Sequence, residues 1–269
     1  MADNDLVAVG TVPERLDDPV AVRRALRTTG AVVVPGPGSA PDPMTALVRS
    51  VLGDEIRSIG DHVPVRAAGG RDRPDLDADG HTLTTPLHSD GFSLAEGAPD
   101  VLVLGCVHPA ADGGGASFLV DLDAVVGRLA AGDDADRELA TFLLDTDVDQ
   151  TEPGRPTVIG PIGRRLDGDR TAWTRSIFLQ PAPDDPDPAR TRRLLDRWEG
   201  LLADLTDRLP RFHLGAGDAL VVDNTRLLHG RDPYEDRDRL LWRLWVWTDR
   251  AVRPDTAYAV SDASMLDLG

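Results

Sequence analysis

Residues 189–209 carry the clearest pattern in the chain: Leu194, Leu195, Trp198, Leu201, Leu202, Leu205 and Leu209 recur at spacings of three and four. Such spacing gives a helix one apolar stripe, and it makes Trp198 a core residue. Two shorter helices are expected near the start, over Asp18–Leu26 and, after the proline-rich Pro37–Pro41, over Pro43–Leu52. Between them Ala31–Val34, followed by Pro35-Gly36, reads as a strand ending in a turn. Val101–Val107 is an apolar run of strand length; Gly113-Gly114-Gly115 turns the chain, and Ala116–Val120 pairs back. Asp121 then caps a helix to about Leu129, and residues 132–143 are expected to be helical. Short strands are expected around Thr157–Ile159 and Thr171–Arg175, longer ones over Ala219–Asp223 and Leu240–Thr248. Residues 67–81 have no apolar period and read as a loop, which fits a substrate lid and an ordinary solvated loop equally well.

Strand-rich stretches separated by Gly/Pro turns, with helices grouped toward the start and middle, point to a mainly β fold with flanking helices. A double-stranded β-helix (jelly roll) core is the architecture expected. At 269 residues without an internal repeat, the chain reads as a single domain over 1–269, buttressed by helices at about 18–53 and 186–210.

The formal charge of −17 argues against nucleic acid or an anionic membrane as partner and leaves a small-molecule substrate, with or without a homo-oligomer. All 29 basic residues are Arg, so an acidic ligand must be met by Arg. Cys106 stands alone in an apolar strand, which fits a core residue in a reducing, cytoplasmic compartment better than a nucleophile. The first residues lack the basic and apolar segments of a signal peptide, and no apolar stretch approaches membrane-spanning length.

Candidate chemistry concentrates in His88-Ser89-Asp90-Gly91 and, 141 residues after His88, His229-Gly230-Arg231. Two imidazoles and a carboxylate can occupy one face of an octahedral iron(II), leaving three positions for a chelating co-substrate and oxygen. On a strand, residues two apart point to one side, so His88 and Asp90 are expected to reach one ion together. By the same rule Arg239 and Arg243, four apart, face one side of their strand. Asp218 and Asn224 are read as turn and supporting structure rather than ligands. His62, His108 and His213 have no partner at ligand spacing and read as structural.

Four pieces occur in order: H-x-D-Gly, a Gly-Gly turn before Ser117 and a strand ending Val120-Asp121, Gly217-Asp218…Asp223-Asn224…His229-Gly230-Arg231, and Arg239-x-x-x-Arg243. Together they resemble the taurine-dioxygenase-like iron(II)/2-oxoglutarate oxygenases, the group that includes clavaminate-synthase-like enzymes, over about Thr85–Val246. The resemblance implies that His88, Asp90 and His229 hold Fe(II) and are the catalytic centre. It implies that Arg239, with Ser117, binds the co-substrate 2-oxoglutarate, a task for which a planar guanidinium is suited. It also implies that Arg243, and with it Trp173 and Arg175, line the substrate pocket; His81, in the loop just before the metal strand, is a further candidate for substrate contact by its position. The expected reaction consumes 2-oxoglutarate and O2, releases succinate and CO2, and hydroxylates a small acidic or zwitterionic metabolite such as an amino acid. Desaturation, cyclisation and heteroatom–carbon cleavage use the same cofactors and stay open at this point. Halogenating relatives leave the Asp90 position open for chloride, so its carboxylate favours hydroxylation. A non-catalytic metal-binding jelly roll and a zinc hydrolase would both leave the arginine pair without a purpose.

Overall fold

The computed structural model describes residues 9–36, 40–66 and 82–254. The loop at 67–81, with His81 in it, lies outside the described residues.

The chain begins with β1 (Glu14–Arg15), α1 (Pro19–Thr28), β2 (Ala31–Val34), α2 (Pro41–Leu52), β3 (Ile56–Ile59), β4 (Val63–Arg66) and β5 (Thr85–His88). It continues through β6 (Val101–His108), β7 (Ser117–Asp121), α3 (Leu122–Ala130), α4 (Asp134–Asp145), β8 (Val148–Asp149), β9 (Ile159–Gly160) and β10 (Gly163–Arg165). The last elements are β11 (Thr171–Trp173), β12 (Gln180–Pro181), α5 (Pro188–Thr206), β13 (Ala219–Asp223), β14 (Leu227–Arg231) and β15 (Leu240–Thr248). A seven-stranded sheet has the order β1-β2-β13-β6-β15-β3, with β4 also paired to β15. A three-stranded sheet runs β5-β14-β7, and two small sheets, β12-β8-β9 and β10-β11, are separate from both.

Strand alternation explains the layering. On one face of the large sheet Val32, Val103, Val221, Leu244 and Val246 pack against Val22, Met44 and Val48 of α1 and α2. On the other face Val33, Leu102, Leu220, Trp245 and Trp247 meet Leu119 and Leu227 of the small sheet. The small sheet's opposite face, with Phe118, Val120 and Leu228, is covered by α3, α4 and the stripe of α5, where Trp198 is fully buried. Helices outside and two sheets facing each other match the jelly-roll expectation.

Asp121 caps α3 as expected, its carboxylate accepting from the backbone N–H groups of Asp123 and Ala124. Three expectations shift. The strand placed over Thr171–Arg175 ends at Trp173, the one near Thr157–Ile159 is only Ile159–Gly160, and β3 and β4 were not foreseen. These last two strands are half-exposed and short, so no apolar run announces them.

Candidate metal centre

Antiparallel pairing of β14 with β5 sets His229 directly opposite His88, with ring centroids 4.3 Å apart. Asp90 is not on that strand. β5 stops at His88 and Asp90 falls in the following turn, so the strand geometry expected for H-x-D is corrected. What brings the carboxylate back is Asn224. Its Oδ1 accepts from the Asp90 N–H at 2.9 Å, while its Nδ2 donates to the Asp90 carbonyl at 2.9 Å and the Pro99 carbonyl at 2.8 Å. Gly91 completes the turn at φ 72°, where a Cβ would lie 2.5 Å from Pro99 Cδ. Asp90 Oδ1 then sits 3.4 Å from His88 Nε2 and 3.5 Å from His229 Nε2, and the three donor atoms lie within 4.8 Å of one another.

Replacing Asn224 with alanine leaves one N–H and two carbonyls without that partner in a site where Asn224 is 2 % exposed. At about 1–3 kcal/mol for a buried unsatisfied group, the variant is expected to lose about 3 kcal/mol of stability and to bind metal more weakly. Thermal unfolding with and without metal measures both effects. A wild-type melting temperature in Asn224→Ala would contradict the clamp.

The donor set suits a divalent transition metal. The His88 Nδ1–H donates to the Pro86 carbonyl at 2.9 Å, which fixes the tautomer whose Nε2 lone pair faces the site. His229 Nδ1 finds no partner among the described residues, so its ring is oriented by the Nε2 side alone. Burial, and next the neighbouring His88, push the His229 pKa down and keep the ring a neutral ligand. Burial by itself would raise Asp90, but Arg243 and the two histidines outweigh it and hold the carboxyl well below its usual range. The Asp90 carboxylate and the His229 ring therefore stand deprotonated near neutral pH, as metal ligation requires.

Residues 241, 243, 245 and 247 of β15 face the interior, and Arg239 precedes them in the same alternation. Arg243 Nη1 lies 3.4 Å from Asp90 Oδ2, and its guanidinium stacks 4.7 Å from the centre of the Trp245 ring. Arg239 is 6 % exposed and lines a small cavity with Ser117, Gly115, Cys106 and Leu214. Gly115 has to be glycine there, because a Cβ would lie 2.8 Å from Arg239 Nε and φ is 71°. Burial pushes the Cys106 thiol up to about 11, against the opposing pull of Arg239, so it stays an inert thiol. A third arginine points inward. Arg231, two residues after His229 and so on the same strand face, donates to Thr85 Oγ1 at 2.7 Å. The Tyr234 ring lies between Arg231 and Arg239, at 4.8 and 4.6 Å.

The family model described as taurine catabolism dioxygenase TauD, TfdA family, matches residues 8–245. The chain belongs to the TauD/TfdA dioxygenase family. This dioxygenase uses iron(II) and 2-oxoglutarate, and the triad is a donor set that fits the metal. No curated protein sequence matches the chain. Among solved structures, asparagine oxygenase in complex with Fe(II), 3-hydroxyasparagine and succinate has a TM-score of 0.61 and 18% identity, covering 84% of this chain and 79% of that one. The non-heme iron oxygenase OrfP with Fe and α-ketoglutaric acid has a TM-score of 0.55 and 20% identity, with the same coverage. PvcB from Pseudomonas aeruginosa has a TM-score of 0.55 and 17% identity, covering 84% of this chain and 78% of that one. These likenesses establish the fold.

Packing gives Trp173 and Arg175 structural partners in this dioxygenase. Trp173 is 3 % exposed among the α3–α5 side chains, and its indole N–H donates to Asp123 at 2.7 Å. Arg175 is 2 % exposed; its guanidinium bonds the Leu87 carbonyl and Glu199 of α5, tying that helix to the strand that carries His88. Trp173 also lines a pocket with Ser89, Gln150, Thr174 and Asn224, next to the turn that carries Asp90. His62 pairs with Thr45 at 3.2 Å, and His213 lines the Arg239 cavity without joining the triad.

Proposed function

We propose that this dioxygenase hydroxylates an unactivated C–H bond of a small acidic or zwitterionic molecule, a free amino acid or an intermediate built from one. The observation that carries this reading is the placing of two interior arginines at different depths, one beside the iron ligand Asp90 and one in the Ser117 cavity. Bound iron(II) with 2-oxoglutarate and O2 supplies the oxidising power, yielding succinate, CO2 and one oxygen atom for the substrate.

The chain's own residues supply placement. His88, Asp90 and His229 would hold the ion, with three donors that leave room for co-substrate and O2. Arg239 and Ser117 hold the distal carboxylate of 2-oxoglutarate, which fixes the direction from which it chelates. Arg243, closer to the ion, anchors the anionic group of the substrate, and because there is no Lys in the chain no other cation type competes for the role. The solved structures of asparagine oxygenase and OrfP contain 3-hydroxyasparagine and 3-hydroxyarginine, which supports the amino-acid class. No helix among the described residues is long and apolar enough to cross a membrane. We take residues 1–269 as one catalytic unit acting in the cytoplasm, alone or as a homo-oligomer.

The test is oxygen-dependent succinate release over a panel of amino acids and small acids, followed by mass spectrometry of the product under heavy-isotope dioxygen. Gain of one labelled oxygen atom is expected. Loss of two hydrogens would mean desaturation, and a chlorinated product would overturn the inference from Asp90.

A further inference from the structure

The Asp90 carboxylate is held at both ends. Oδ1 faces the two imidazoles, at 3.4 and 3.5 Å. Oδ2 is turned away from them and accepts from the Trp245 indole N–H at 2.8 Å, with Arg243 Nη1 a longer 3.4 Å away. Asp90 and Trp245 are each 5 % exposed. The indole is itself fixed: Arg243 stacks on its ring and Trp247 meets it edge-on, with centroids 6.3 Å apart.

We propose that Trp245 is a positioning residue that keeps Asp90 a one-oxygen ligand. The proposal rests on the triad being the metal centre. A carboxylate beside a hard divalent cation can bind through one oxygen or both. Six-coordinate iron with three protein donors has three positions left, two for the chelating co-substrate and one for O2. If Asp90 added its second oxygen, only two would remain. The indole N–H prevents that by engaging Oδ2 in a dry site, where a hydrogen bond to a charged group is strong. Indole suits the task because it donates and does not accept, so it offers the metal no lone pair of its own. Arg243 does not replace it, since its contact is longer and its charge is needed by the substrate.

Trp245→Phe keeps the buried ring and removes the donor. Trp247→Phe is the matched control, on the same strand face and losing an equally buried indole N–H, whose partner is the Gly97 carbonyl at 2.7 Å. The probes are cobalt(II), read through its visible d–d bands, and 2-oxoglutarate titrated into the anaerobic iron(II) protein. In Trp245→Phe the cobalt bands should shift, as a second carboxylate oxygen takes one of the three open positions, and the co-substrate affinity should fall about 10–100-fold, the usual scale for outer-shell losses at metal sites. Trp247→Phe should match wild type in both. A wild-type spectrum and affinity in Trp245→Phe, or an equal change in Trp247→Phe, overturns the proposal. Wild type that binds no cobalt overturns the metal-site reading and this proposal with it, whereas binding abolished by Asp90→Ala secures that reading independently. Should Trp245→Phe not fold, the wild-type protein gives a second readout. Its Trp245 indole proton resonance, and not that of Trp247, should move on titration with zinc(II), and an unmoved signal overturns the proposal.

Discussion

His88→Ala, Asp90→Ala and His229→Ala are each expected to abolish turnover and to lose the visible charge-transfer band that iron(II) and 2-oxoglutarate give together under anaerobic conditions. Three donors within 4.8 Å are the whole protein share of the site among the described residues, and two of them do not fix a facial geometry. Asp90→Ala carries an additional penalty. It removes the carboxylate that the largely buried Arg243 lies beside and leaves the Trp245 N–H without an acceptor. Breaking one side of a buried ion pair costs about 3–5 kcal/mol, so this variant should also melt lower than either histidine variant. Full turnover in Asp90→Ala would mean that the metal is held elsewhere.

Arg239→Ala comes next in size. Losing the partner of a buried carboxylate costs about 2–5 kcal/mol, or roughly 30- to several-thousand-fold in affinity. The 2-oxoglutarate requirement should rise by that factor while iron(II) binding stays close to wild type, because Arg239 lies in the Ser117 cavity and is not one of the three donors. Arg231, across the Tyr234 ring, keeps some positive charge near that end of the interior, which favours the lower part of the range. Arg243→Ala should instead weaken substrate binding. An unchanged co-substrate requirement in Arg239→Ala, with the loss appearing in Arg243→Ala, would exchange the two roles.

Local pattern carried much of this architecture. Ala31–Val34, Ala219–Asp223 and Leu240–Thr248 are strands with the bounds expected, because strands covered on both faces read as uninterrupted apolar runs. The stripe of α5 and the Asp121 cap were equally plain, since both signals lie within a few residues of each other. The triad, Arg239 and Arg243 were singled out by spacing and family motif. What spacing missed was made by partners far apart in the chain. Asp90 leaves the strand and depends on Asn224, and its second oxygen depends on Trp245, which nothing near Asp90 announces. For Trp173 and Arg175 spacing also gave no sign of their partners, Asp123 for the one and the Leu87 carbonyl and Glu199 for the other. Arg231 was within reach, because the two-residue rule applied to His88 and Asp90 holds better for His229 and Arg231, which do share a strand.

The clamp on Asp90 has a consequence for how the protein is made. Its partners follow 134 and 155 residues later in the chain, so a growing polypeptide on the ribosome holds the first two iron ligands long before anything can orient them. Iron cannot template the early stages of folding; it can be loaded only after the nine-residue strand β15 has left the exit tunnel and docked between β6 and β3. Assembly from such distant pairings is slow, and the exposed apolar strands wait in the meantime. Yield on expression should therefore respond to slower synthesis and lower temperature more than to added iron.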